Sequence, residues 1–481
     1  MTLRFDPPGA APPAPDTLNR FIAIVGEANA ITRPEEMTAH LKEWRDRYAG
    51  RAALVLKPGS VEEVSAILRL ATQTHTAIVP QGGNTGLVGG QIPFESGHEV
   101  VVALGRLNRI RSLDAKGNTL IAEAGVTLQA IQEAAEAANR LFPLSLASEG
   151  TCQIGGNLAT NAGGVQVLAY GNARDLTLGL EVVLPGGEIW NGLKRLRKDN
   201  TGYDLKNLFI GSEGTLGIIT AASLRLFPKP KYLATLFAGC ADLDAVAGFY
   251  ALSLEAAGPG LTLFEVIPRI GLDFVLKHLP GSRDPLSRGH AWYVLAELST
   301  FAQDEAGPGV AQSVLEAGLD RRLIEDAVLA ASLAQAQELR RLRESLSEVQ
   351  KHEGGSIKHD VSVPVESVPA FIEEASRAVC ALVPGARPVP FGHFGDGNIH
   401  FNVSQPVDAD KTAFLARWDE VSDCVHAIVL AHGGSISAEH GIGRMKRGML
   451  AQVKPRVELE MMARIKAALD PHGIMNPGKL I

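Results

Sequence analysis

Two histidines, His393 and His400, lie on either side of an Asp-Gly pair in FGHFGDGNIHFNV, residues 391–403. Imidazole is the commonest metal-binding side chain, and two that converge can each hold an ion at roughly 2.0–2.1 Å. Whether these two converge depends on the backbone between them. Asp-Gly between alternating residues signals a two-residue type I′ turn, because both central positions need positive φ. With Asp396 and Gly397 in that turn, His393 faces His400, and directly opposed Cβ atoms lie about 4.5–5.5 Å apart. The hairpin alone fits two arrangements, a metal-holding pair and a hydrogen-bonded pair without metal. A third ligand has to come from elsewhere.

Glycine offers a second chemistry, made by backbone. PQGGNTGLVGG, residues 80–90, presents several N–H groups to one point, as a phosphate-binding nest does without Lys or Arg. In isolation it also reads as a tight surface loop. SEGTCQIGGNLATNAGGVQVLAYG, residues 148–171, brackets small polar residues between Gly155-Gly156 and Gly163-Gly164, leaving room for a flat ring system and a pyrophosphate. A third block, RKDNTGYDLKNLFIGSEGTLGIIT at 197–220, ends in Gly211, Gly214 and Gly217. Other motifs fall away. GxGxxG is absent. GIMNPGKL has Walker A spacing, but Leu480 stands where Ser or Thr should bind Mg²⁺ and no helix follows. HEGGSIKH has Ser356 at the second His position of HExxH.

These residues need a scaffold, and the chain is long enough to supply one. Its 481 residues, 46% hydrophobic and 21% charged, bound two or three globular domains with large cores. Glycine is over-represented, at 50 residues. A net charge of −7 with no long Lys/Arg tract argues against nucleic acid. Cys152, Cys240, Cys380 and Cys424 are too scattered for a disulfide framework or a thiolate zinc site. No apolar run reaches bilayer length. No secretory signal precedes Pro7–Pro15, which reads as a flexible lead-in, so a soluble cytoplasmic protein is expected.

Strands are expected over 53–57 and 76–80, with a helix between them. Ser60 and Glu63 offer that helix a capping box, and Val61, Val64, Ile67, Leu68 and Ala71 its buried stripe. Further helices are expected over 129–139, 328–347 and 457–469, and a strand over 291–298. Phe227-Pro228-Lys229-Pro230 marks a boundary. The domains are expected at 1–228, 229–420 and 421–481.

The three glycine blocks, in this order and in one domain, resemble the FAD-binding domain of the vanillyl-alcohol oxidase-type (PCMH-type) flavoproteins. The third block is close to the version in flavin-dependent D-2-hydroxyacid dehydrogenases. The likeness continues through HFGDGNIHFNV, AEHGIG and NPGK, covering nearly all of the chain after its first forty residues. It implies an α+β fold: a two-subdomain FAD-binding domain, an antiparallel-sheet substrate (cap) domain flanked by helices, and a C-terminal helical segment packing back on the FAD domain.

The resemblance also implies roles. Pro80, Gly82, Gly83, Asn84, Thr85, Gly86 and Leu87 would wrap the FAD pyrophosphate. Cys152, Gly155, Gly156, Asn157, Thr160, Asn161, Gly163 and Gly164, with Glu213, Gly214, Gly217, Ile218 and Ile219, would line flavin and adenosine. Asn476 would touch flavin or substrate. Covalent members carry a His in the pyrophosphate loop; here Asn84 and Thr85 stand there, so FAD is expected to be non-covalent. His393, His400 and Glu439 match residues that bind a divalent metal, usually zinc. His440 would be the general base. Arg343, Ser347 and Lys358 match substrate-carboxylate positions, and Asn402 shares a sheet face with His400. Arg343 and Ser347, four apart in a helical stretch, should share a face.

The implied activity is oxidation of a D-2-hydroxy acid, foremost D-2-hydroxyglutarate. Electrons would pass to electron-transfer flavoprotein or a quinone. D-lactate oxidation and a glycolate-oxidase-like flavin subunit of a larger complex are the alternatives. A homodimer is compatible with this picture.

Overall fold

The computed structural model describes residues 12–301 and 306–481, and the chain divides into two compact units. One comprises the chain up to Gly164, Gly171–Pro228 and His440–Ile481; the other comprises Val165–Tyr170 and Lys229–Glu439. The boundary expected at 420 therefore falls later. Helix Trp418–Ala431 belongs with the second unit, because Val421, Val425 and Val429 are part of its core.

In the first unit the buried run Leu54–Leu56 leads into helix Val61–Thr74. Ser60 Oγ accepts the Glu63 N–H at 3.2 Å, and the Glu63 carboxylate accepts the Gly59 N–H at 2.7 Å. The reciprocal cap thus closes one residue earlier than the standard box. Val64, Ile67, Leu68 and Ala71 are fully buried, and Val61 packs at the margin. The helix is a crossover: Leu54–Leu56 and Ile78–Gln81 both pair in parallel with Val100–Ala103. Strand Ile78–Gln81 thereby delivers the first glycine block.

A second sheet in this unit is antiparallel, in the order Ile110–Asp114, Thr119–Glu123, Ile218–Arg225, Thr177–Val183, Ile189–Gly192. The expected helix at 129–139 spans Leu128–Ala137 and is capped by Thr127. Residues 7–11 of the proline-rich lead-in lie outside the described residues. From Pro15 the chain is helical to Val25, with proline in the first turn, where its missing N–H costs nothing.

The second unit is built on seven antiparallel strands in the order Asp326–Leu329, Tyr232–Cys240, Trp292–Thr300, Leu261–Pro268, Arg387–His393, Asn398–Ser404, Ser356–Ser362. One face packs on helices that include Leu243–Ala257, Val368–Leu382 and Trp418–Ala431. The opposite face is covered by Arg269–His278 and Leu333–Glu344 around Leu263, Ile267 and Phe391, and beyond Phe391 it turns polar. The helix expected over 328–347 is corrected. Val328 lies in an edge strand, Ser332 caps Leu333–Glu344, and a turn at Ser345 separates it from Leu346–Val349.

The hairpin is corrected too. Residues Phe394–Asp396 form a 3₁₀ turn closed by Gly397 at φ 78°, so the loop has four residues and not two. His393 pairs with Asn398, and Phe391 with His400. The register differs from the expected one by two residues, an even shift, so His393 and His400 still share a face.

Candidate active site

The glycine blocks converge in the first unit on a cleft of about 910 Å³, part of it open to solvent. Its walls include Pro80, Gly82, Gly83, Asn84, Thr85 and Gly86 from the first block. Gly155, Gly156, Asn157 and Thr160 come from the second, and Glu213, Gly214, Gly217, Ile218 and Ile219 from the third. Asn476 and His440 line it as well. Leu87, Cys152, Asn161, Gly163 and Gly164 do not. Cys152 is buried, which pushes its thiol pKa up. Asn161 accepts the Arg174 N–H, and a Cβ on Gly164 would sit 2.1 Å from the Ser145 carbonyl.

Amide side chains brace the first loop by its carbonyls. Gln91 Nε2 donates to Gly86 O at 2.8 Å, and Asn476 Nδ2 donates to Gly90 O at 2.9 Å. A trans peptide sets N–H opposite C=O, so the N–H groups of Leu87 and Gln91 face away from these braces. Asn84 spends its own amide on the carbonyls of Ala39 and Lys42. Asn84, Asn161, Glu213 and Asn476 all have left-handed φ, a strain that side-chain hydrogen bonds must maintain. Glu213 is not aimed at a ligand. Its carboxylate, whose pKa burial raises, accepts the N–H groups of Ile442 and Gly443 at 2.7 Å.

Two features fit this cleft to a cofactor rich in donors and rings. The amide oxygens of Gln153, Asn157 and Asn476 are buried without a hydrogen-bond partner, and such acceptors call for donors. A Cβ on Gly156 would meet no protein atom within 4 Å, so this glycine leaves room for something other than protein. Gln81, Gln153 and Ser212 line the cleft from within the stretches expected to do so, 80–87, 152–164 and 211–219, and Gln91, one residue past the first block, lines it without having been singled out. Its only signal was closeness to the glycine run.

The second unit carries the other set. His393, His400 and Glu439 place one ligand atom each within 4.8 Å of one another. His393 Nε2 is 3.8 Å from Glu439 Oε1, and His400 Nε2 is 4.0 Å from Glu439 Oε2. Behind them stand two buried carboxylates. Glu265 accepts from His393 Nδ1 and from Arg343 Nε. Asp360 accepts the Glu439 N–H at 2.9 Å and lies 3.9 Å from His400 Nδ1. Neither carboxylate was identified from the sequence, because the strands that bring them pair only in the folded sheet.

Charge here is crowded and mostly negative. Burial opposes the charged form of Glu265, but Arg343 and His393 hold its pKa at about 2. Burial likewise opposes charge on His393, yet Glu265 raises it to about 9. Burial lifts Glu439 to about 7 and Asp396 to about 6. Two imidazoles and a carboxylate converging in such a field suit a divalent cation.

The other expected substrate residues are also in this unit. Lys358 pairs with Asn402 across the strands, in the row next to Asp360 and His400. Asn402 donates to Gln350 Oε1 at 2.7 Å, and Lys358 Nζ to Ser347 O at 2.9 Å. Arg343 is buried and Ser347 exposed, on either side of the turn at Ser345, which itself keeps right-handed helical φ/ψ. Arg343 lies over the Phe391 ring, 4.8 Å from its centroid.

Residues 229–480 match the profile for the C-terminal domain of FAD linked oxidases, and residues 52–192 match an FAD binding domain. A D-2-hydroxyglutarate dehydrogenase of Xanthomonas citri is 38% identical, over 93% of this chain and 93% of that protein. The mitochondrial D-2-hydroxyglutarate dehydrogenase of Arabidopsis thaliana is 37% identical, over 96% and 80%. A D-2-hydroxyglutarate–pyruvate transhydrogenase of Saccharomyces cerevisiae is 36% identical, over 93% and 90%. Among solved structures, p-cresol methylhydroxylase aligns with a TM-score of 0.75 at 17% identity, covering 97% of this chain and 96% of that one. Alkyldihydroxyacetonephosphate synthase aligns at 0.74 and 19%, covering 99% and 86%. At that identity these two speak for the fold.

Proposed function

The chain belongs to the FAD-linked oxidase family, and from that premise we propose that it oxidises a D-2-hydroxy acid, D-2-hydroxyglutarate foremost, to the 2-oxo acid. FAD, when bound, takes up the C2 hydrogen as hydride, and a divalent ion, zinc in this reading, makes the 2-hydroxyl more acidic when bound. The glycine cleft is the place for the cofactor, held without a covalent bond. His393, His400 and Glu439 hold the ion, and three protein ligands leave positions open for substrate, as a catalytic site requires.

The observation that carries the reading is the dipeptide Glu439–His440. Glu439 is a member of the metal-type cluster, and His440 lines the cleft. One peptide bond ties them, so a carboxylate that holds an ion and an imidazole that can take a hydroxyl proton are covalent neighbours. Arg343 keeps its two Nη groups for a carboxylate while Nε is engaged by Glu265. Lys358 brings a second cation, with Ser347 and Asn402 beside it. Two cations suit a dicarboxylate, since charge-assisted bonds to carboxylate are the strong ones. Lactate has one carboxylate, and a lactate enzyme would tolerate the loss of either cation better. In our reading electrons leave to electron-transfer flavoprotein or a quinone.

An anaerobic visible spectrum of the purified protein, taken before and after adding D-2-hydroxyglutarate, tests this. Bleaching of the flavin band is expected. A band that stays with D-2-hydroxyglutarate but bleaches with D-lactate replaces the substrate. A band that stays with both supports a flavin subunit working only within a larger complex.

A further inference from the structure

We propose that Glu265 is a positioning residue that joins the metal ligand His393 to the substrate cation Arg343, so that holding the ion and holding the substrate carboxylate depend on one side chain. The inference rests on the reading above and deepens it.

Glu265 sits in strand Leu261–Pro268, whose neighbours Phe264, Val266 and Ile267 are buried and apolar, and it is itself 1% exposed. A carboxylate in that position is costly unless both its oxygens are used. Both are. The strand pairs Glu265 directly with His393, so one oxygen accepts from His393 Nδ1. The other accepts from Arg343 Nε, on the helix that covers this face. Phe391 lies beneath the guanidinium and limits its tilt.

The consequence for the imidazole is specific. With one proton held at Nδ1 by Glu265, it is Nε2, the nitrogen nearer Glu439, that offers its lone pair once an ion takes the place of the second proton. An outer carboxylate of this kind fixes the tautomer and raises ligand basicity. The consequence for Arg343 is that Nε is occupied and the Nη edge is set. A carboxylate that merely neutralised a buried arginine would have no reason to meet His393 as well.

Glu265→Gln separates these roles. Its single amide oxygen must serve Arg343, which can only donate. Its NH₂ then donates to His393 Nδ1 and drives the ring proton to Nε2, against the ion. We expect the Kd for Zn²⁺, measured without hydroxy acid by competition with a coloured chelator, to rise about 10- to 100-fold. The KM for D-2-hydroxyglutarate should stay raised even at saturating Zn²⁺. Arg343→Gln should raise KM more than about tenfold while changing the Zn²⁺ Kd by less than about threefold, an order-of-magnitude contrast set by the lost charge-assisted bond.

A Glu265→Gln protein that binds Zn²⁺ like wild type overturns the proposal. So does an equal loss of Zn²⁺ affinity in Arg343→Gln. Should Glu265→Gln fail to fold, Glu265→Asp keeps the charge but not the reach, and an unchanged Zn²⁺ Kd there overturns it equally. Wild-type protein that takes up no Zn²⁺ would instead remove the metal reading itself.

Discussion

In the unit that carries the cleft, the wall is drawn from three glycine blocks, and Gln91 and Asn476 hold carbonyls of the first. In the other unit the polar site is all side chain, with two imidazoles, four carboxylates and an arginine carried by paired strands, the turn at Asp396, the loop at Glu439 and one covering helix. The first site owes its shape to where a Cβ is missing. The second owes its chemistry to which charges are forced together. A site of the first kind should break through sterics and ignore pH, and a site of the second kind should do the reverse.

The largest expected effect tests the side-chain site. His393→Ala or His400→Ala should lower flavin reduction by hydroxy acid by roughly 1,000-fold, about 4 kcal/mol of lost Lewis-acid assistance. Flavin absorbance should stay intact; metal analysis and stopped-flow spectra check both. Close behind, His440→Ala should keep flavin and metal but slow reduction by about 10²- to 10⁴-fold, the usual worth of a general base. Loss of metal in that variant would make His440 a ligand.

The cleft is tested by a pair of glycines. Gly83→Ala puts a Cβ 2.0 Å from the Thr151 carbonyl, so main chain must move, at about 1–3 kcal/mol in thermal stability. Gly156→Ala meets no protein atom and sits within helix Ile154–Ala159, where alanine is the better residue. Flavin-free stability should hold or rise slightly, while FAD affinity falls about tenfold or more for a blocked contact surface. Equal FAD affinity would mean that Gly156 does not face the cofactor.

The smallest effect is a pH dependence in the second unit. Burial opposes charge on Glu353, but hydrogen bonds from Lys277, His278 and Arg387 hold its pKa at about 2. The unfolded chain then binds more protons between the ordinary carboxylate range and pH 2, so stability falls as pH falls through that window. Glu353→Gln should flatten this part of an acid denaturation curve, and an unchanged curve would show that the network contributes nothing measurable.

How far each site could be read from sequence follows the same contrast. Glycine runs are local, so the cleft was legible almost wall by wall, and the exceptions are instructive. Asn161 and Gly164 hold the block's own fold, a use that sequence cannot separate from contact with a ligand. The hairpin turn was misjudged by two residues because Gly397 closes a 3₁₀ turn, yet the faces survived because the error was even. Between Arg343 and Ser347 stands a turn at Ser345 that no glycine or proline announced. Glu265 stands 128 positions from His393, and only strand pairing joins them.

The tail of the first unit has one more consequence. Asn476 bonds the Glu213 carbonyl across 263 positions, Lys466 reaches Thr215 O, and the Ile78 N–H donates to Ile474 O. At about 5–20 residues per second, those partners reach the ribosome's exit roughly 13–80 s apart. A nascent chain therefore emerges with the first and third glycine blocks lacking their bonds to the tail through that interval. The cleft is therefore completed last, when the tail has been made and can close on it.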